Sequence, residues 1–226
     1  MSLVQKIRER GYWHLVIRPA LFDPERVPYQ ELESIIRRTK VQLRGWDLPH
    51  IQESAGIDQH ADSIGQSSEF AHHLESWRFF TTGQFIWIGG LRYDWREHLP
   101  PPLDPWTDER VLGVTDALWQ YTEFFQFASR LAITAAGDEE VFVGISLHGL
   151  QGRSLKVDSP NRAPFVEDYR TQMEAFLYER TYHRSELVAS HLDYARSAAT
   201  DLFERFGWHP TAEILRGAQD ELLRLH

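Results

Sequence analysis

Two stretches of this chain gather residue types that could do chemistry. The first is Leu43-Arg44-Gly45-Trp46-Asp47-Leu48-Pro49-His50, which brings an Arg, a Trp, an Asp and a His close together at a strand end. An indole face stacks on a planar group and a guanidinium forks onto an anion, so this set suits a planar or anionic ligand. The second stretch runs from Phe70 to Trp95 and interleaves Glu75, Trp77, Arg78, Gln84 and Trp87 among further aromatics. Trp and Arg carry much of the binding energy at interfaces, and a carboxylate buried beside an indole has its pKa pushed up. Plainer readings stand beside both. The first segment also reads as a glycine turn closed by Trp46 and an Arg44–Asp47 pair, and Glu75 as the partner of Arg78 or another Arg. Candidate ligand- or partner-binding residues are Arg44, Trp46, Asp47, His50, Glu75, Trp77, Arg78, Gln84 and Trp87, with no catalytic residue assigned. Arg153 and Arg162 would extend such a site if the fold brought them to it.

Known chemical signatures are missing. No GxxxxGK[ST] or strand-preceded GxGxxG cradles phosphate, and no GxSxG elbow presents a serine. Gly149-x-x-Gly152 lies between two expected strands and reads as a turn. The chain has 11 His and no Cys, so thiolate nucleophiles and Cys-ligated metals are excluded. There is no HExxH or HxxEH, and His72-His73 on one strand would point to opposite faces. His183 and His191 flank an expected strand-to-helix change. The expectation is no metal and no cofactor. The acidic pairs at Asp108-Glu109, Asp138-Glu139-Glu140 and Asp220-Glu221 read as solvated turns and helix ends.

At 226 residues the chain can bury a sizeable core, and 42% hydrophobic with 25% charged residues is ordinary for a folded protein. A formal net charge of −9 repels nucleic acid on average. Arg37, Arg38, Lys40 and Arg44 form a local basic cluster, which reads as the solvated side of a helix and its exit. The charges Lys6, Arg8, Glu9 and Arg10 fall where a signal peptide needs its apolar run, and no apolar stretch reaches the roughly 18 residues of a membrane span. A cytoplasmic protein with no membrane association is expected.

Patterning predicts an α+β fold of antiparallel hairpins packed with several helices, two of them C-terminal. A short helix over 2–10 precedes a strand at Tyr12–Arg18. A helix follows over Tyr29–Lys40, with Tyr29, Leu32, Ile35, Ile36 and Thr39 on one face. Val41–Gly45 reads as a second strand and residues 52–68 as an exposed loop. His73–Thr81 and Gln84–Ile88 form an aromatic hairpin around Thr82-Gly83, with Gly89-Gly90 allowing a bulge or close backbone approach. Pro100-Pro101-Pro102 with Pro105 reads as a stiff connector, so the chain is one domain, or two subdomains joined near 100–105. Thr115 caps a helix running to Ala136. Val141–His148 and Arg153–Val157 read as a second hairpin, and Met173–Tyr182 as a strand. Ser190 and Thr211 open the two closing helices.

Several segments resemble a group of uncharacterised free-standing bacterial proteins of similar length. They are Arg44-Gly45-Trp46-Asp47 with Pro49-His50, Trp77-Arg78-Phe79 with Gly83-Gln84-Phe85, Val157-Asp158 with Pro160, Arg162 and Pro164-Phe165, and Arg205-Phe206-Gly207-Trp208 with Pro210-Thr211 and Glu213-Ile214-Leu215-Arg216. The resemblance implies a bacterial protein and no particular activity. Three functional classes follow from the residues. The leading one is a non-enzymatic protein that binds a partner protein or a small ligand through the aromatic hairpin, self-association included. The second is an unfamiliar enzyme with Glu75 or Asp47 as base and His50 and Arg44 as helpers. The third, a nucleic-acid-associated accessory protein, runs against the net charge.

Overall fold

A computed structural model describes residues 1–95 and 110–224. The Pro100–Pro102 and Pro105 connector and the Asp108-Glu109 pair lie outside the described residues. The fold is α+β, built on a seven-stranded antiparallel sheet. Helix α1 (Leu3–Arg8) leads into β1 (Tyr12–Pro19), and a 3-10 turn (Tyr29–Glu31) leads into α2 (Leu32–Thr39). Strands β2 (Asp58–Gln59), β3 (Ser63–Phe70), β4 (His73–Phe80) and β5 (Phe85–Gly90) follow. After β6 (Val111–Gly113) come α3 (Val114–Ala132), β7 (Glu140–His148), β8 (Ser154–Lys156), β9 (Tyr169–Arg170) and β10 (Ala175–His183). Helices α4 (Arg184–Glu204) and α5 (Ala212–Arg224) close the chain. The large sheet runs β10-β7-β1-β5-β4-β3-β2, and a small one runs β6-β8-β9. Strand β1 lies between β5 and β7, so segments from both ends of the chain share one sheet and one apolar core.

Alternation along the strands decides which face is inside. Trp13, Leu15 and Ile17 of β1, Trp77 and Phe79 of β4, and Val143, Ile145 and Leu147 of β7 all turn to one side. There they meet α3, of whose 19 residues 14 are buried because α4 and α5 cover its far side. Helix α1 covers a patch of the opposite face, where Ile7 packs on Leu74, Ile88 and Trp95. No helix among the described residues is long and apolar enough to cross a membrane.

Several expectations are corrected. Val41–Gly45 is not a strand: it contributes one bridge, Val41 to Leu48, and Gly45 at φ 77° takes the left-handed turn that brings those residues opposite each other. The 52–68 loop contains β2 and β3. Strand β3 is polar yet inside, with Ser63, Gln66 and Ser68 buried, and the Gln66 amide is satisfied by the Gln52 N–H and the Gln52 and Gly56 carbonyls. Pairing with β4, rather than its own apolar content, holds it in the sheet.

The expected second hairpin is two strands of different sheets. Strand β7 pairs with β1 and β10, and β8 runs parallel to β6. The buried Arg153 enforces this turn, forking onto Asp94 at 2.7 Å through each terminal nitrogen and donating to the Gly149 and Val111 carbonyls. Helix α3 is capped from a distance: Gly113 stands at the N-cap, and the Asp158 carboxylate accepts from the Thr115 and Asp116 N–H groups at 2.7 and 3.0 Å. The helix opening expected at Ser190 is a kink inside α4, which starts at Arg184 with the His183 imidazole as cap.

Candidate functional site

The 43–50 loop packs against the end of the aromatic hairpin and the first turns of α3, enclosing a cleft of about 300 Å³. Glu75 stands on its wall. It projects from the core-facing side of β4 and is only 4% exposed. One carboxylate oxygen accepts from the Trp46 indole N–H at 2.9 Å and the other from the His50 backbone N–H at 2.8 Å. Trp77, one step further along the same face, donates its indole N–H to the His50 carbonyl at 2.8 Å. Two buried side chains of β4 thus hold the loop in place.

Anchored this way, Trp46 becomes the centre of a stack. Its ring lies 3.8 Å from the His50 imidazole and 4.4 Å from that of His73, nearly parallel to both. Trp13 and Trp87 line the back of the cleft and pack edge-on to Phe124 of α3. Gly89 and Gly90 bring bare backbone to the cleft, since a Cβ at either position would run into the ring of Trp87 or of Trp95.

Arg44 is saturated. Asp116, Gln120 and Glu123 recur at helical spacing on α3 and present three acceptors in one stripe. The guanidinium donates to Glu123 through two nitrogens at 3.0 and 2.5 Å, to Asp116 at 2.9 Å and to Gln120 at 2.8 Å. Burial alone would lower the Arg44 pKa, but Glu123 and Asp116 more than offset it and the net shift is upward. Asp47 pairs with Lys40 at 2.7 Å, not with Arg44. The basic cluster therefore divides, Arg37 bridging Glu33 and Glu53 in solvent while Arg44 turns inward.

The titration behaviour follows from these environments. Burial pushes Glu75 up to about 7, against the hydrogen bonds from His50, Trp46 and the nearby Trp87 indole, which favour its charged form. The Trp87 N–H is close enough to act electrostatically but closes no full hydrogen bond. Burial also lowers His73 to about 3, helped by the charges of His72, Arg44 and Arg92, so it stays neutral in the ordinary pH range. His50 is lowered by burial, with Asp47 opposing and Lys40 adding to the shift. A protonated Glu75 must turn its O–H away from the two N–H groups it faces, and an ionised one offers an acceptor. The same group can give or take a proton near neutral pH.

Five of the residues singled out from sequence, Arg44, Trp46, Asp47, Glu75 and Trp87, line this one cleft, and His50 stacks at its edge. Trp77 is 3% exposed and belongs to the core. Arg78 points from the other face of β4 towards His60, 3.0 Å away, so it is not the partner of Glu75. Gln84 sits at the far, turn end of the hairpin, its carbonyl accepting from Phe80. Arg153 is locked to Asp94, and Arg162 lies by α5 on a separate apolar groove. His72 and His73 do not point apart: Ala71, at φ 51°, turns the chain so that His72 precedes β4, and the two rings lie 4.1 Å apart at the cleft. Sequence reasoning missed Asp116, Gln120, Glu123 and Arg92 as cleft residues. The recurrence of acceptors at 116, 120 and 123 was a readable sign that α3 meets a cation.

Comparison with protein-family models, curated proteins and solved structures found no match to this chain. Any functional reading therefore rests on the cleft itself.

Proposed function

We propose that the protein binds a small planar molecule in the cleft between the 43–50 loop, the end of the β4–β5 hairpin and α3. The observation that carries this reading is the convergence of Trp46, Glu75 and Trp87 on one enclosed space, with the His50–Trp46–His73 stack fixed beside it. A ring slotted against such a stack gains area and quadrupole attraction, and the buried carboxylate orients it by one hydrogen bond. At about 300 Å³ the cleft is at the low end of ligand pockets, which suits a one- or two-ring molecule. Burial of Trp77 and Trp87 weighs against the alternative in which the hairpin offers its indoles to a protein partner, because those rings already serve the core.

A second reading, an enzyme acting on the same ligand, is favoured by Glu75, whose pKa of about 7 suits a general acid or base at neutral pH. Binding comes first in either case. Native mass spectrometry of the protein purified at low salt from a bacterial host is the test. Extra mass of a few hundred daltons is expected on the wild type, and its loss in Trp46→Ala, with an unchanged circular dichroism spectrum, supports the reading. A ligand retained by Trp46→Ala sinks it.

A further inference from the structure

Of the two arginines among the described residues that line the cleft, one is paired with carboxylates and the other is not. Arg44 is taken up by Asp116 and Glu123, and Asp47 by Lys40. Arg92, in the 3-10 turn Arg92–Asp94 just after β5, also lines the cleft. It makes no ion pair with any described residue, and its buried Nε has no hydrogen-bond partner. Its guanidinium lies 5.9 Å from the ring of its chain neighbour Tyr93, a contact that neutralises nothing. Facing the same space is Glu75, whose two oxygens are held by Trp46 and His50 and not by Arg92. A cation and a carboxylate thus share one small cleft without pairing to each other.

We propose that the cleft selects a planar heteroaromatic acid, one whose carboxylate or phosphate meets Arg92 while a ring N–H or O–H is read by Glu75 and the ring lies beside the His50–Trp46–His73 stack. This rests on the small-ligand reading above and adds the class of ligand. The physical reason is desolvation. Arg92 is half-buried and its buried Nε lacks an acceptor, and an anion that forks onto Nε and a terminal nitrogen supplies one with fixed geometry. An entirely neutral ring would leave Arg92 uncompensated, and a cationic one would be repelled by it. Trapped between groups of opposite sign, an acid with a donor at its other end satisfies both walls at once.

The test uses matched acid and neutral pairs on the full chain: orotate with uracil, and indole-3-carboxylate with indole-3-carboxamide. Affinities are measured by calorimetry and saturation-transfer NMR on wild type, Arg92→Gln and Trp46→Ala, each shown to be folded by urea titration. The acids are expected to bind at least tenfold more tightly than their neutral partners. In Arg92→Gln that gap should close, and in Trp46→Ala both members of a pair should weaken together. Equal affinity of acid and neutral partner in the wild type overturns the proposal while leaving the cleft as a binding site. So does a gap that survives Arg92→Gln. Failure of every probe to bind also overturns it, and the mass-spectrometric test then decides separately whether the cleft binds anything.

Discussion

Replacing Arg44 with leucine should lower stability at pH 7 by about 3–5 kcal/mol, the cost of breaking a buried ion pair by deleting one partner. The geometry says why the effect is large. Glu123 is only 2% exposed and Asp116 only 12%, both on the same stripe of α3, and Arg44 supplies four hydrogen bonds that no water could replace without opening the helix–loop contact. Without it two carboxylates stand uncompensated on one wall of the cleft, and Glu75 adds a third. Removing Glu123 as well, in Arg44→Leu with Glu123→Leu, should restore a good part of the loss, since the uncompensated charge is gone. Urea denaturation of the three proteins measures both effects. A loss below about 1 kcal/mol in Arg44→Leu, in the range of exposed pairs, would mean that Arg44 is solvated and that the cleft is open to water.

Glu75→Gln should change the shape of the stability–pH curve. Glu75 has its pKa raised from 4.5 to about 7, so between those values the folded protein holds a proton that the unfolded chain releases. Its contribution to stability is therefore full below about pH 4.5 and is lost as pH rises to 7, by roughly 3 kcal/mol. His73 runs the other way. Lowered from 6.5 to about 3, it stays neutral in the fold while the unfolded chain takes up a proton, so stability falls as pH drops through that window. Its size is comparable once partial exposure is discounted. The two slopes oppose each other between about pH 4.5 and 6.5, so each masks the other in the wild type. Removing the carboxyl in Glu75→Gln exposes the His73 slope, so the variant should gain stability with pH up to about 6.5. Urea midpoints taken every half pH unit would show it. Parallel curves for the two proteins would mean that Glu75 titrates as an ordinary surface acid.

How much of this was readable in the chain depends on what each residue had to meet. The aromatic hairpin was legible because strict alternation put Glu75, Trp77 and Phe79 on one face and Thr82-Gly83 supplied the turn. The 43–50 segment was legible as a set of residue types, though not as a loop, because one bridge at Val41 and Leu48 leaves the same apolar pattern as a short strand. Strand β3 was illegible: beside Ile64 its buried side chains are Ser63, Gln66 and Ser68, and only tertiary partners make that burial tolerable. The pairing of β7 and β8 failed for another reason. Two apolar runs around a glycine turn look alike whether or not they share a sheet, and the buried Arg153–Asp94 contact that separates them joins distant parts of the chain. Long-range partners also hid half the cleft, since nothing near Arg44 in sequence announces the acceptors on α3.

The central claim, that a small planar ligand enters the cleft beside Trp46, is tested most directly through the indole N–H signals. The chain has 8 Trp, and those of Trp13, Trp46 and Trp87 border the cleft whereas Trp119 and Trp208 lie elsewhere. With 15N-labelled tryptophan and assignments by single substitution, a panel of one- and two-ring heteroaromatics is added in turn. Saturable shifts of the Trp46 and Trp87 signals are expected, with Trp119 and Trp208 unmoved. Shifts confined to Trp208, or no shift at any indole across the panel, would contradict it.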